Sequence, residues 1–192
     1  MGRPRLFDPD AAIGKALDLF WKQGYGATTP AELLDAIGIA KGSFYNTFES
    51  KHAVFTQALR RYGDNRVAGL VRMLAGSAPV RDRIKGSFER FAKPENADRL
   101  RRGCFAANTA AELGHRDVTA AAIVRDTFER MERVLEATVK EGQERLELDT
   151  ALDPKAVASL LLATLIGITV LAKVDDSKRR TRRIAHALAA LL

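Results

Sequence analysis

Apolar residues recur along this chain at helical spacing from end to end, and the alternation of a half-buried strand is absent throughout. Ile13, Leu17, Phe20 and Trp21 form one stripe behind Asp8 and Pro9, an acceptor and a preset backbone angle that suit the start of a helix. Thr28, Thr29 and Pro30 open a second helix with Leu33, Leu34 and Ile37 on one face, and Gly38 can take the left-handed conformation that ends it. The pattern restarts at Ala40. Ala40, Phe44 and Phe48 recur every four residues, which predicts a short third helix with all three pointing inward. Ser50 caps a fourth that carries Val54, Phe55, Ala58 and Leu59 and runs on as a rod to Leu70 and Leu74, closing at Gly76 to Pro79. Gly63 and Gly69 weaken the middle of that rod by about 1 kcal/mol each relative to alanine, which permits a bend. Beyond it the pattern predicts helices over 80–92, 99–113, 118–144, 154–174 and 177–192, with Asp117 and Asp153 as caps. The expected fold is all-α: a three-helix head over residues 1–52 and a helical body over 53–192.

The outer face of the third helix carries the most specific chemistry. Lys41, Gly42, Ser43, Tyr45, Asn46 and Thr47 are left to face or flank the outside, where an ordinary solvated helix would carry Glu, Lys and Gln. Hydroxyls and a phenol suit phosphates, an amide suits a base edge, and Gly42 allows close approach of a backbone. The pair of helices reads as a DNA-binding helix-turn-helix, flanked by Thr28 and Thr29 before it and Lys51 after it. The plain alternative is a two-helix hairpin with a glycine turn. Arg3 and Arg5, around a helix-refusing proline, form a short arm suited to the minor groove or, away from DNA, a disordered basic terminus.

Charge changes this picture little. The net charge is +7, yet residues 1–52 hold 6 basic and 6 acidic side chains, so placement rather than bulk charge must attract phosphate there. The basic stretch from Arg60 to Arg102 reads as solvated helix faces, with long-range attraction to DNA as the alternative. The run 178–183, KRRTRR, sits at a helix start, where positive charge opposes the macrodipole; it either pairs with nearby carboxylates or binds an anion. A single cysteine excludes an internal disulfide, no secretory leader is evident, and a cytoplasmic protein is the expectation. Residues 156–172 are uncharged but rich in small side chains and shorter than the roughly 20 a bilayer span needs. A packed interface helix is the better reading, and with 184–192 it makes half of an intermolecular four-helix bundle.

GIAKGSFYNTFESKHAVF resembles the turn, third helix and start of the fourth in the tetracycline-repressor (TetR) family, and FDPDAAIGKALDLFWKQGYGATT resembles that family's first helix and lead-in. Leu34 stands where the family's second helix commonly has a small residue, and the resemblance fades after about residue 60. It implies a one-component regulator, most simply a repressor acting by steric occlusion, with Lys51 touching the DNA backbone, an effector-binding body, and dimerisation through the last two helices. A dimer is also what one short reading helix needs, since two heads about 34 Å apart read a palindromic operator.

For the effector, the segment 102–117, RGCFAANTAAELGHRD, is the distinctive stretch of the body. Cys104, Asn108 and Glu112 are spaced by four on an expected helix, which directs a thiol, an amide and a carboxylate into one space, with Phe88, Phe91, Phe105, Phe128 and Met131 as apolar walls. The competing reading is a small core cysteine with structural hydrogen-bonders. The Gly-Cys-apolar-x-x-Asn-Thr pattern also looks like a branch of the family that senses small electrophiles, which implies a reacting role for Cys104. An enzyme is not expected, because His52, His115 and His186 lie far apart and no phosphate loop, nucleophile elbow or paired-cysteine motif occurs. No cofactor, metal or membrane partner is expected. An architectural DNA binder without a ligand, or an activator of the same fold, remains open, and a body cavity against a solid core tells the first of these from a sensor.

Overall fold

The structure, a computed structural model, describes residues 7–90, 93, 97–174 and 178–192. Within them the chain is helical, as α1 (Pro9–Gln23), α2 (Pro30–Ile37), α3 (Lys41–Phe48), α4 (Lys51–Leu74), α5 (Val80–Glu89), α6 (Ala97–Arg102), α7 (Phe105–Leu113), α8 (Val118–Glu144), α9 (Pro154–Leu171) and α10 (Lys178–Leu191). Local chemistry sets five of the starts. The side chains of Asp8, Ser50, Asp117 and Asp153 accept the N–H groups of Asp10, Ala53, Ala120 and Lys155, satisfying donors that a helix start leaves open. Thr29 and Glu32 form a reciprocal capping box on α2, and Gly38 ends that helix at φ 79°, ψ 39°.

Two expectations fail. Ala40 does not point inward with Phe44 and Phe48; it is the exposed N-cap of α3, one residue before the helical repeat begins. The helix expected over 99–113 is broken in two, because Gly103 is left-handed at φ 74° and Cys104 is the extended N-cap of α7. Trp21 Nε1 donates to the Gly103 carbonyl at 3.1 Å and the Phe105 N–H donates to the Tyr62 hydroxyl at 3.2 Å, so partners from α1 and α4 take up the backbone groups at the break.

Two apolar clusters share α4. One gathers Phe20, Leu33, Phe44, Phe48 and Phe55 with Phe105 and Ile123, so α7 and the start of α8 pack into the core of the head. The other gathers Leu70, Leu74, Ile84 and Phe88 with Met131, Leu135, Leu161 and Leu165. At Gly63 the rod packs tightly on α8: a Cβ there would lie 2.4 Å from Thr127 Oγ1. One face of α9 is buried on α8. The other carries Ala156, Leu160, Ala163, Gly167 and Val170 at alternating steps of four and three, with Leu160 and Val170 each 53% exposed. By length and composition α9 is apolar enough to cross a bilayer, yet its buried face is that of a core helix.

Candidate DNA-binding face and effector cavity

On α3, Phe44 and Phe48 anchor the helix from below, at 2% and 3% exposure, and this turns the polar face outward. Lys41, Gly42 and Asn46 are exposed, Tyr45 is 43% exposed, and Ser43 and Thr47 are half-buried. Arg3 and Arg5 lie outside the described residues. Thr29 is exposed, its hydroxyl engaged with Glu32 in the capping box. Thr28 does not face outward: it is fully buried and its hydroxyl donates to the Gly24 carbonyl at 2.6 Å, so it shapes the loop rather than presenting a hydroxyl. Lys51 is half-buried. Its Nζ donates to the Thr28 carbonyl at 2.5 Å and sits 4.2 Å from the Tyr25 ring centroid, fastening the start of α4 to the start of α2. Burial pushes its pKa below the usual lysine value, against the pull of the Glu112 and Glu32 carboxylates.

Behind the head lies a cavity of about 570 Å³. Helix α4 supplies one wall with Tyr62, Asn65, Arg66, Gly69, Arg72 and Met73; α1 contributes Trp21, α6 Leu100, α9 Thr169, the chain after α5 Arg90, and the break between α6 and α7 Gly103 and Cys104. Tyr62 is 3% exposed and stacks edge-on against Trp21 at 5.1 Å. Its hydroxyl donates to Cys104 Sγ at 3.5 Å while accepting from Phe105. Burial, reinforced by the neighbouring thiol, pushes this phenol above the usual tyrosine value, so it stays a neutral donor.

Of the described side chains expected around the effector, Cys104 alone lines this cavity. Phe88 and Met131 are buried in the second apolar cluster; Phe105 is buried in the first, where it also borders the groove that holds Asn108 and Glu112, and Phe128, half-buried, packs against both clusters. Phe91 lies outside the described residues. Asn108 and Glu112 do share a face, but that face meets a separate groove, since the break at Gly103 turns Cys104 away from α7's own repeat. Asn108 donates to the Arg102 carbonyl at 2.9 Å and accepts from Lys173 at 2.7 Å. Glu112 accepts the N–H groups of Tyr25 and Gly26 at 3.1 and 2.6 Å, and so ties the body to the loop between α1 and α2. A signal for the true wall was present: Tyr62, Arg66, Gly69 and Met73 follow one another at steps of four, three and four along one face of the fourth helix.

Residues 12–58 match the family model described as bacterial regulatory proteins of the tetR family, and residues 80–188 match the tetracyclin repressor-like C-terminal domain. The chain is similar to the HTH-type transcriptional repressor ComR of Escherichia coli (strain K12), 29% identical over 185 residues that cover 96% of this chain and 88% of that protein. It is also similar to the transcriptional regulator AcuR of Cereibacter sphaeroides, 31% identical over 183 residues covering 91% and 82% of the two chains. In fold it matches a cysteine mutant of the TetR family regulator CifR, solved with 26-base-pair operator DNA, at a TM-score of 0.80 and 24% identity over 98% of both chains. A helix-turn-helix at the front, an all-helical body behind it and both family models on one chain make this protein a member of the TetR family of transcriptional regulators.

Proposed function

We propose that the protein is a dimeric repressor that binds a palindromic operator through the head, residues 1–52, and is released when a small molecule enters the cavity of the body, residues 53–192. One observation carries the reading: Trp21 of α1 and Tyr62 of α4 both line the cavity, so a ligand there touches the head and the rod behind it at once. Glu112 adds a second tie from α7 to the α1–α2 loop. A ligand that favours a head spacing unsuited to the operator need contribute only its differential affinity, about 1–3 kcal/mol or roughly 5- to 150-fold in binding. The open cavity supports a sensor over a purely architectural DNA binder.

Lys41, Ser43, Tyr45 and Thr29 are the phosphate contacts in this reading, Asn46 and Thr47 read base edges, and Gly42 lets the backbone approach. In this reading α3 enters the major groove, and the shared fold of CifR, solved with operator DNA, supports operator binding. Dimerisation is supported by the uncharged face of α9, whose steps of four and three suit a helix packing against its own copy. Such a regulator works in the cytoplasm, beside the chromosome. Sedimentation together with operator titration of the purified chain tests the proposal: a dimer covering two half-sites, with affinity that falls when the cavity is occupied, is expected. A monomer at micromolar concentration, or operator affinity indifferent to every molecule shown to fill the cavity, overturns it.

A further inference from the structure

Between α3 and α4 stands one residue whose backbone breaks the local pattern. Glu49, the C-cap of α3, lies at φ 65°, ψ −49°, away from the left-handed helical conformation that Gly38 takes at the end of α2. The Ser50 N–H donates to the Phe48 carbonyl at 2.6 Å, which closes a three-residue γ-turn of the rare hand. An L residue is strained in that turn, whereas glycine, being achiral, adopts it as readily as the common mirror-image form. The glutamate side chain offsets none of this: it is exposed and makes no hydrogen bond or ion pair with any described residue. Such strain persists only where the chain is held on both sides. On the α3 side Phe48 is 3% exposed, its ring 5.6 Å from that of Phe44 and 6.1 Å from that of Phe7. On the α4 side three consecutive residues are each fastened: Ser50 Oγ accepts the Ala53 N–H at 3.0 Å, Lys51 Nζ reaches the Thr28 carbonyl before α2, and His52 Nε2 lies 2.7 Å from Oδ2 of Asp117, the cap of α8. Head and body are thus both tied to the chain within three residues of Glu49, and one strained residue leads from that node into α3.

We infer that Glu49 is a positioning residue for operator binding: its γ-turn fixes the orientation of α3 on the first turn of α4, so that the two move as one body. The inference rests on the reading of α3 as the helix that meets the operator. A stiff joint matters there because base edges are read by hydrogen bonds that need fixed geometry, while attraction to phosphates tolerates play. It also carries a shift at Lys51 or His52 into α3 without absorbing it in the turn.

Glu49→Gly and Glu49→Ala remove the same charge, so their comparison isolates the backbone. In urea unfolding of the full chain at one protein concentration, Glu49→Gly should fold with an equilibrium constant about 3- to 30-fold larger than that of Glu49→Ala, because the strain relieved outweighs the freedom glycine adds to the unfolded chain. Binding should run the other way. By fluorescence anisotropy, the duplex that the parent selects from a random-sequence pool should bind Glu49→Gly about threefold or more weakly than Glu49→Ala, while an unrelated duplex of equal length binds both alike. Equal or lower stability of Glu49→Gly would show that the turn is unstrained; equal affinity for the selected duplex, that the strain positions nothing; equal weakening on both duplexes, that the change acts on the head in general. Each of these overturns the inference. A parent that selects no duplex removes the reading of α3 and the inference with it, whereas a clear preference that both variants retain alike removes the inference alone.

Discussion

Replacing Gly63 by alanine sets two known effects against each other at a close contact between α4 and α8. Alanine gains about 1 kcal/mol in a helix interior relative to glycine. Against this, the new Cβ falls 2.4 Å from Thr127 Oγ1 and 3.3 Å from its Cγ2, inside contact distance for both. Thr127 has little room to yield: it is 2% exposed and its hydroxyl donates to the Ile123 carbonyl at 2.9 Å. Overpacking of this kind costs about 1–3 kcal/mol, and displacing the hydroxyl from its acceptor adds about 1 kcal/mol. The cost wins, for a net loss of about 1–3 kcal/mol. Gly86 in α5 supplies the control, since a Cβ there meets nothing within 4 Å; Gly86→Ala should stabilise by up to about 1 kcal/mol. Adding Thr127→Ala to Gly63→Ala removes the obstructing hydroxyl and should recover most of the loss, a coupling of about 1 kcal/mol or more between the sites. Urea unfolding of Gly63→Ala, Gly86→Ala, Thr127→Ala, the Gly63→Ala, Thr127→Ala double variant and the parent, at one protein concentration so that dimer formation enters equally, measures each term. A Gly63→Ala variant as stabilising as Gly86→Ala would show that the helices have slack here and would refute the reasoning.

Three further outcomes follow from the site. Tyr45→Ala should weaken binding to all duplexes without lowering the melting temperature, whereas Lys51→Ala should lower both, by about 1–2 kcal/mol in stability, because its ties to the Thr28 carbonyl and Tyr25 ring are lost; fluorescence anisotropy and thermal melts separate the two. Glu112→Ala removes the acceptor for Tyr25 and Gly26 and, these bonds being exposed, should cost no more than about 1 kcal/mol in stability, while reducing ligand-induced operator release by about threefold or more; unchanged release would mean the tether carries no coupling. The hydrogen bond from Arg83 holds the Glu141 carboxyl below its ordinary value of 4.5, against a smaller opposing effect of burial. A folded-state pKa below the unfolded one makes this contribution complete above about pH 4.5 and lost as pH falls through the folded value, so Glu141→Gln should be less stable than the parent at about pH 7, with the difference shrinking as pH falls below about 4.5 in chemical denaturation.

The sequence by itself determined the helices and the reading head, because their signals act over a few residues. Asp8, Ser50, Asp117 and Asp153 cap the helix that begins beside them, Gly38 ends the one just before it, and the Phe44 and Phe48 anchors lie on the same short helix as the polar side chains they turn outward. The Thr29–Glu32 capping box was legible in the same way, as a threonine three residues before a glutamate. Thr28 shows the limit of composition, since nothing about a threonine at a loop end says whether its hydroxyl meets solvent or the Gly24 carbonyl. The break at Gly103 had no comparable local signal: its partners are Trp21, 82 residues away, and, at Phe105, Tyr62, 43 residues away. With that break misread, a spacing of four correctly placed Asn108 and Glu112 together and wrongly added Cys104. Periodicity says which residues share a face, but which space the face meets depends on what packs against it, and the cavity is assembled from α1, α4, α6, α9 and the turns beside them. Only the tertiary structure, in which long-range hydrogen bonds override the local helical pattern at Gly103, could bring Arg66, Arg72 and Arg90 of an ordinary basic stretch to line one cavity behind the head.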